Sequence, residues 1–298
     1  METFQLSEKL LKKIADLISA KKNTPLKKIV KDIHFADMAE IINELNEQQG
    51  IYLIKLFDSE KTSEILTELD EDVREKILKA LSVKEIADEI EELDSDDAAD
   101  ILGELSDERK EEVISEISDD NLADDLKELL SYEEDSAGGL MAKELVQANE
   151  NWSVTKCLRE IKKQGENVTR VHSIYVVDDK QKLIGRLSLK DLITSPAKNL
   201  IKDIYIPKVD SVNVYDDGEE VAKIMSKYDL EAIPVIDNKK QLVGRITIDD
   251  IVDFIKEEAE EDYLLAAGVQ GDVEADDSII ELTKARLPWL FLGLVGGL

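Results

Sequence analysis

The 298-residue chain has one cysteine, five prolines and two histidines, and aromatic residues fill only 5% of its positions. A lone Cys157 excludes an intrachain disulfide and fits a reducing compartment. His34 and His172 are isolated, in neither a metal-ligand nor a triad spacing. There is no P-loop, no Gly-x-Ser-x-Gly elbow and no His-Glu-x-x-His pair, so nothing points to an enzyme. Positive charge is scarce: 38 Lys and Arg stand against 68 Asp and Glu, a net charge of −30. That balance disfavours nucleic acid and anionic lipid, which need a basic footprint. It favours cations, because a compact state with this charge repels itself and is relieved by multivalent counterions. Solubility alone also accounts for such a surface.

Long apolar runs are missing until the last residues. Residues 287–298 are uncharged and mostly apolar, with Arg286 before them and Trp289 near their start. About 20 such residues are needed to cross a bilayer, so the run is expected to be the first half of a transmembrane helix entering at the interface. A buried C-terminal core helix is the other reading. Gly293 and Gly297 have the spacing that lets helices pack in lipid. The N-terminus shows no secretory leader, so the water-soluble part is expected on the cytoplasmic side. Apolar residues at 43% are normal for folded protein, and the length suits two or three domains.

The N-terminal half carries a repeat. Leu45, Phe57, Leu69, Leu81, Leu93, Leu105, Ile117 and Leu129 recur every 12 positions. Most precede a helix-capping residue: Asn46, Asp58, Asp70, Ser82, Asp94, Ser106 or Ser118. Ser82 with Glu85 fits a capping box. A 12-residue unit holds one short helix and a turn, too little to stand alone, so stacked units must bury one another's apolar faces. Further on, residues 173–193 and 232–252 align without a gap at an offset of 59. Each has a short β-branched run, a polar turn, a second run containing Gly-Arg, and a Ser/Thr-x-x-Asp helix start, which reads as strand, turn, strand, helix.

This duplication resembles a pair of CBS motifs, a Bateman module. The full order resembles the MgtE family of magnesium channels: helical repeat, Asp-Ser-Ala-Gly-Gly-Leu-Met at 135–141, two CBS motifs, acidic linker, then Arg-Leu-Pro-Trp before an apolar run. The expected architecture is α+β and multidomain. An all-α superhelix of short helices covers 1–131, and an α/β CBS pair covers 132–200 and 201–256. An acidic linker, the family's plug helix, covers 257–286, and the start of a transmembrane helix covers 287–298. The resemblance implies a homodimer through the CBS modules. It also implies a multi-pass cell-membrane protein whose pore domain lies beyond Leu298, with this region as its cytoplasmic Mg2+ sensor. Mn2+ and Ca2+ also suit oxygen ligands.

Three carboxylate groups are candidate metal ligands. Asp96 and Asp100, four apart, share a helix face and stand with Glu64. By their chemistry alone, capping and a solvated face explain them better than a metal does, and the stretch does not match an EF-hand. Asp217, Glu219 and Asp229 mark the second CBS motif, where the resemblance adds the carbonyl of Ser226. Asp250, Asp253, Glu258, Glu261 and Asp262 follow at helical spacing; a soluble linker helix is the plain alternative. In the first CBS motif Tyr175, Lys190 and Asp191 match positions that hold ATP in related channels, although the family more often has Arg where Lys190 stands. The rival function is a soluble CBS protein that senses adenine nucleotides and has no transport role.

Overall fold

The computed structural model describes residues 6–165, 168 and 170–266; side chains at 260–262 and 264–266 lie outside this description, as does the apolar run at 287–298. The first part is helical: α1 (Glu8–Ser19), α2 (Asn23–Val30), α3 (Phe35–Asn43), α4 (Glu47–Ile54), α5 (Ser59–Thr67), α6 (Glu71–Ala80), α7 (Val83–Ile90), α8 (Ser95–Gly103), α9 (Asp107–Glu116) and α10 (Asp120–Leu129). From α2 to α9 every helix begins 12 residues after the last. The repeat thus reaches two units further toward the N-terminus than its anchor residues reveal. α10 starts one residue late, so its cap is Asp119, which accepts from the Asn121 N–H, rather than Ser118. Asn46 and Ser82 both close full capping boxes.

Helices two apart pack together, as in α3 with α5, α5 with α7, α7 with α9, α4 with α6 and α8 with α10. Each short helix thereby buries its stripe between neighbours. Leu26, Met38, Ile42, Leu53, Ile65, Ile77, Ile90 and Leu102 form one continuous core that also runs into the second CBS motif. Basic side chains staple the rows. The Arg74 guanidinium donates to the carbonyls of Leu66, Thr67 and Leu69 at the end of α5, and to Glu104 at the end of α8.

The first CBS motif contains β1 (Val146–Asn149), α11 (Val154–Gln164), β2 (Ile174–Val177), β3 (Leu183–Leu187) and α12 (Leu189–Thr194). After β4 (Ile206–Pro207) the second contains β5 (Val212–Asn213), α13 (Gly218–Tyr228), β6 (Ala232–Ile236), β7 (Leu242–Thr247) and α14 (Ile248–Ala266). The sheets run β1-β2-β3-β4 and β5-β6-β7. The 59-residue offset holds in fine detail. Both hairpins shift register at equivalent places, Val176/Val177 and Val235/Ile236. Both turn through a left-handed residue, Gln181 and Lys240. The turns face each other across a pseudo-twofold axis: the Leu183 N–H donates to the Lys240 carbonyl, and the Leu242 N–H to the Gln181 carbonyl.

The copies also exchange edges. β4, which leads into the second motif, pairs with β3 of the first; Ala142, which leads into the first, pairs with Arg245 of the second. This explains the glycine of each Gly-Arg pair. A Cβ on Gly185 would run into the Ile206 carbonyl, and one on Gly244 would approach the Ala142 carbonyl to 2.8 Å. α14 runs without a break through 256/257, from the second motif into the acidic linker.

Arg74 and Glu104 are largely shielded, with side-chain exposures of 17% and 14%, whereas Lys79 and Glu75 are exposed. Arg74→Met leaves a half-enclosed carboxylate and three helix-end carbonyls without partners. It is expected to lower the stability measured by urea unfolding by about 3 kcal/mol, against under about 0.5 kcal/mol for Lys79→Ala.

Candidate metal centre

The start of α8 meets the start of α14 across a cavity of about 330 Å3. Its walls carry Glu64, Glu92, Asp94, Asp96, Asp97, Asp249 and Asp250, against Arg170, His172 and Arg245. Four chain segments bring these groups together: α5, the α7–α8 corner, the lead-in to β2 that carries Arg170 and His172, and the β7–α14 corner. α5 supplies Glu64. α8 supplies Asp96 and Asp97 in its first turn, where its dipole favours acids. The β7–α14 corner supplies Asp249 and Asp250. Asp250 is held by Thr247 at the start of α14: its carboxylate accepts from the Thr247 N–H at 3.0 Å and from the Thr247 hydroxyl at 2.5 Å. Oxygens of Asp94, Asp96 and Glu144 lie within 4.8 Å of one another. Glu144 comes from the segment that leads into β1.

The electrostatics are unfavourable without a counter-ion. Burial, then the Asp250 charge, holds Asp96 well above the usual carboxylate range. Burial also raises Asp250, against the pull of its bonds to Thr247. Asp97 is pushed up to about 7 by loss of solvent, then by Asp250 and Asp94. Asp100 is pushed up to about 7 by loss of solvent, then by Asp97, Glu134 and Glu257. Both side chains are exposed to water, so screening moderates these effects. Asp94 is raised by burial and by Glu144, with Arg245 opposing. Arg245, 5% exposed, is the buried cation here, with Nη2 3.7 Å from Asp94 Oδ2.

This donor set fits a hard divalent cation: all-oxygen, anionic and drawn from several elements. The cavity also has room for retained waters, at roughly 30 Å3 each. Asp94, Asp96 and Asp250 are the side chains placed to hold such an ion, while the Glu144 carboxylate beside them is taken up by Ser95. The ion would supply the positive charge that Arg245 alone does not.

The expected ligands are distributed unevenly. Glu64, Asp96 and Asp250 share the cavity. Asp100 lies one turn along α8, within electrostatic reach of Glu134 and Glu257. Asp217 caps α13 through the Glu219 N–H, and Glu219 pairs with Lys223 at 2.6 Å. These two flank Gly218, against which the Phe254 ring of α14 packs. Ser226 and Asp229 are exposed at the far end of α13, and Asp229 takes a left-handed conformation as its C-cap. Asp253 is exposed and pairs with Lys256 at 2.6 Å. Glu258 is half-buried. Glu261 and Asp262 belong to α14, but their side chains lie outside the described residues.

Sequence reasoning treated Asp94 as a cap and passed over Glu144 and Arg245. Asp94 stands at the cap position of α8 but makes no capping bond. Only the coincidence of a cap-position acid with a buried Gly-Arg arginine could have marked them. Of the three residues expected around a nucleotide, Lys190 is exposed and Asp191 half-buried, whereas the Tyr175 ring is 2% exposed with its hydroxyl unpartnered. In this arrangement that ring is closed off from a base.

Residues 33–135 match the MgtE intracellular N domain, and residues 137–198 and 201–257 match the CBS domain. A solved structure of the cytosolic domain of the Mg2+ channel MgtE in complex with ATP superposes with a TM-score of 0.75. It is 31% identical, and the match covers 82% of this chain and 99% of that one. The chain belongs to the MgtE family. The magnesium transporters MgtE of Enterococcus faecalis and Thermus thermophilus are each 39% identical to it, over 56% and 57% of its length. Those matches cover 37% and 38% of the two MgtE transporters, so the chain spans less than half the length of the curated relatives it matches. Among its described residues no helix is long and apolar enough to cross a membrane.

The raised carboxylates give the closed junction a pH dependence of definite sign. Asp97 and Asp100 titrate near 7 when the junction is closed and near the ordinary value of about 3.9 when it is open. Their contribution to the closed form is complete below the lower value and is lost as pH rises through about 7. With divalent ions chelated, lowering the pH from about 8 to about 6 should reduce the radius of gyration measured by X-ray scattering. Asp97→Asn with Asp100→Asn should flatten that response.

Proposed function

We propose that this chain is the Mg2+-sensing region of a magnesium channel or transporter, acting from the cytoplasmic side on a membrane pore domain. The observation that carries the reading is the convergence of carboxylates from α5, α8 and α14 on one cavity with too little positive charge to balance them. At about 4 Å a like-charge pair costs roughly 4 kcal/mol at an effective dielectric of 20. A divalent ion reverses that sign. Its differential affinity for the closed junction shifts the population toward the compact form, in which α14 is pinned between the helical domain and the second CBS motif. When Mg2+ is scarce, repulsion favours separation, and α14 no longer holds the pore shut. Glu64, Asp94, Asp96 and Asp250 are the ligands the cavity best supports, with Asp100 one turn further along α8. Asp217, Glu219, Asp253, Glu258, Glu261 and Asp262 would extend the acid line along α13 and α14, with Ser226 and Asp229 at its end. Membership in a family that includes magnesium transporters and a cytosolic domain crystallised with ATP supports both the ion and a nucleotide as ligands.

Dimerisation through the CBS modules has its own support. Leu189 and Ile193 on α12, and their equivalents Ile248 and Val252 on α14, are all exposed large apolar residues. Duplicated helices that leave the same stripe uncovered suit a symmetric interface.

Millimolar Mg2+ should reduce the radius of gyration and slow proteolysis within α14, where Na+ at matched ionic strength does neither, because screening weakens repulsion without bridging domains. Identical scattering with chelator and with Mg2+ would sink the sensor reading and leave the acidic face as solubility. Calorimetry should show ATP binding that Asp191→Ala removes. Nucleotide binding without any Mg2+ response would instead favour the adenylate-sensor alternative.

A further inference from the structure

α8 starts in an unusual way. The residue at its cap position, Asp94, makes no capping hydrogen bond and instead faces Arg245 of β7. The first N–H groups of a helix have no partner within it, yet the start of α8 is not left bare. The Glu144 carboxylate, from the segment between the Gly-Gly turn and β1, accepts from the Ser95 N–H at 3.1 Å and from the Ser95 hydroxyl at 2.8 Å. The same hydroxyl accepts from the Lys143 N–H at 2.8 Å. Ser95 is fully buried. Lys143 also reaches back to Glu128 of α10 at 2.8 Å. Arg245 Nε donates to the Glu144 carbonyl, and the Arg245 main chain pairs with Ala142. The two domains have therefore traded acids. The helical domain gives Asp94 to the CBS arginine, and the CBS lead-in gives Glu144 to the helix.

We infer that Glu144 and Arg245 form a metal-independent latch on the start of α8, and that this latch sets how much divalent cation is needed to close the junction. Glu144 is here a positioning residue. Its role is to cap α8 across the domain border, and a cap of this kind survives chelation. In the closed form the latch and the ion act on the same equilibrium. A stronger latch means that less ion is needed for half-closure, and the ion still decides the balance. The set-point part of this inference rests on the proposed sensing function; the cap itself does not.

Two measurements on the full chain test it. The first is amide exchange of Ser95 at saturating Mg2+, read by NMR, with scattering recorded in parallel to show that the junction stays closed. The wild type should protect this amide. Glu144→Ala should speed its exchange at least about fivefold at unchanged radius of gyration, the factor lost with a typical cap. Glu144→Gln retains an acceptor oxygen and should restore most of the protection, which a residue needed only as an anionic metal ligand would not do. The second is the Mg2+ midpoint of compaction, which Glu144→Ala should raise by about fivefold with the fully compacted radius preserved. Equal Ser95 exchange in the wild type and Glu144→Ala would overturn the latch, and an unchanged midpoint would overturn its role in the set-point. Absence of any Mg2+-driven compaction in the wild type would instead count against the sensing function, while Ser95 exchange would still report on the cap.

Discussion

The structure turns on negative charges brought together faster than positive ones can answer them. Asp94, Asp96, Asp97 and Asp250 meet where two domains join, with one buried arginine among them. An isolated surface acid costs a fold almost nothing, but acids that face one another in a shared, partly dehydrated cavity oppose the contact that created the cavity. Protons or cations at this point would therefore favour the closed junction. Everything else in the chain either builds the walls or decides how firmly they are held.

The walls follow from two kinds of repetition. Twelve-residue helical units place the acidic first turn of α8 at a fixed height in the stack, where α8 packs on α10 as α3 does on α5, α5 on α7 and α7 on α9. The 59-residue duplication does the rest. Asp191 and Asp250 are equivalent positions of the two CBS motifs, each three residues after the Ser or Thr that opens its helix. In the first motif that helix ends at Thr194, whereas α14 continues to Ala266. The same corner that caps a short helix in one copy thus launches a long one in the other and aims its acid at α8. The motif was duplicated, and the extension of one copy gave it a second use.

Most of this was legible in the sequence, for a physical reason. The 12-residue spacing, the caps and the offset of 59 are local patterns, and local patterns survive into the fold because each turn satisfies its own backbone. Among the caps, Ser118 for Asp119 came from a single-residue slip in the spacing, and Asp70, Asp94 and Ser106 hold their cap positions without a capping bond. The cavity was harder to see. Glu64, Asp96 and Asp250 could be marked as acids on helix faces, but Glu144 and Arg245 gain their meaning only from contacts 49 and 151 residues away in sequence, with Ser95 and Asp94. Nothing near Glu144 in the chain signals that it caps a helix in another domain. Tyr175 shows a different limit: its residue type suits a nucleotide base, but the sequence does not reveal that strand pairing places the ring inside in this arrangement.

The packing around α14 explains why such a junction can sit close to balance. Ile251 and Phe254, exposed by 1% and 7%, anchor the helix on α13 and the core. Burying a side chain of that kind contributes on the order of 1.5–3 kcal/mol. A close like-charge pair at an effective dielectric of 20 opposes with about 4 kcal/mol, so packing and repulsion are of the same order. Arg245 offsets part of the repulsion at Asp94 but lowers Asp96 by nothing comparable, since Asp250, Asp97 and burial dominate there. On the proposed function, opposing terms of similar size would let a small, hydrated ion decide the balance: it would add two charges at the point of greatest repulsion, where a monovalent salt bath only dims the field. A junction held by packing alone would ignore cations, and one without the packing would never close.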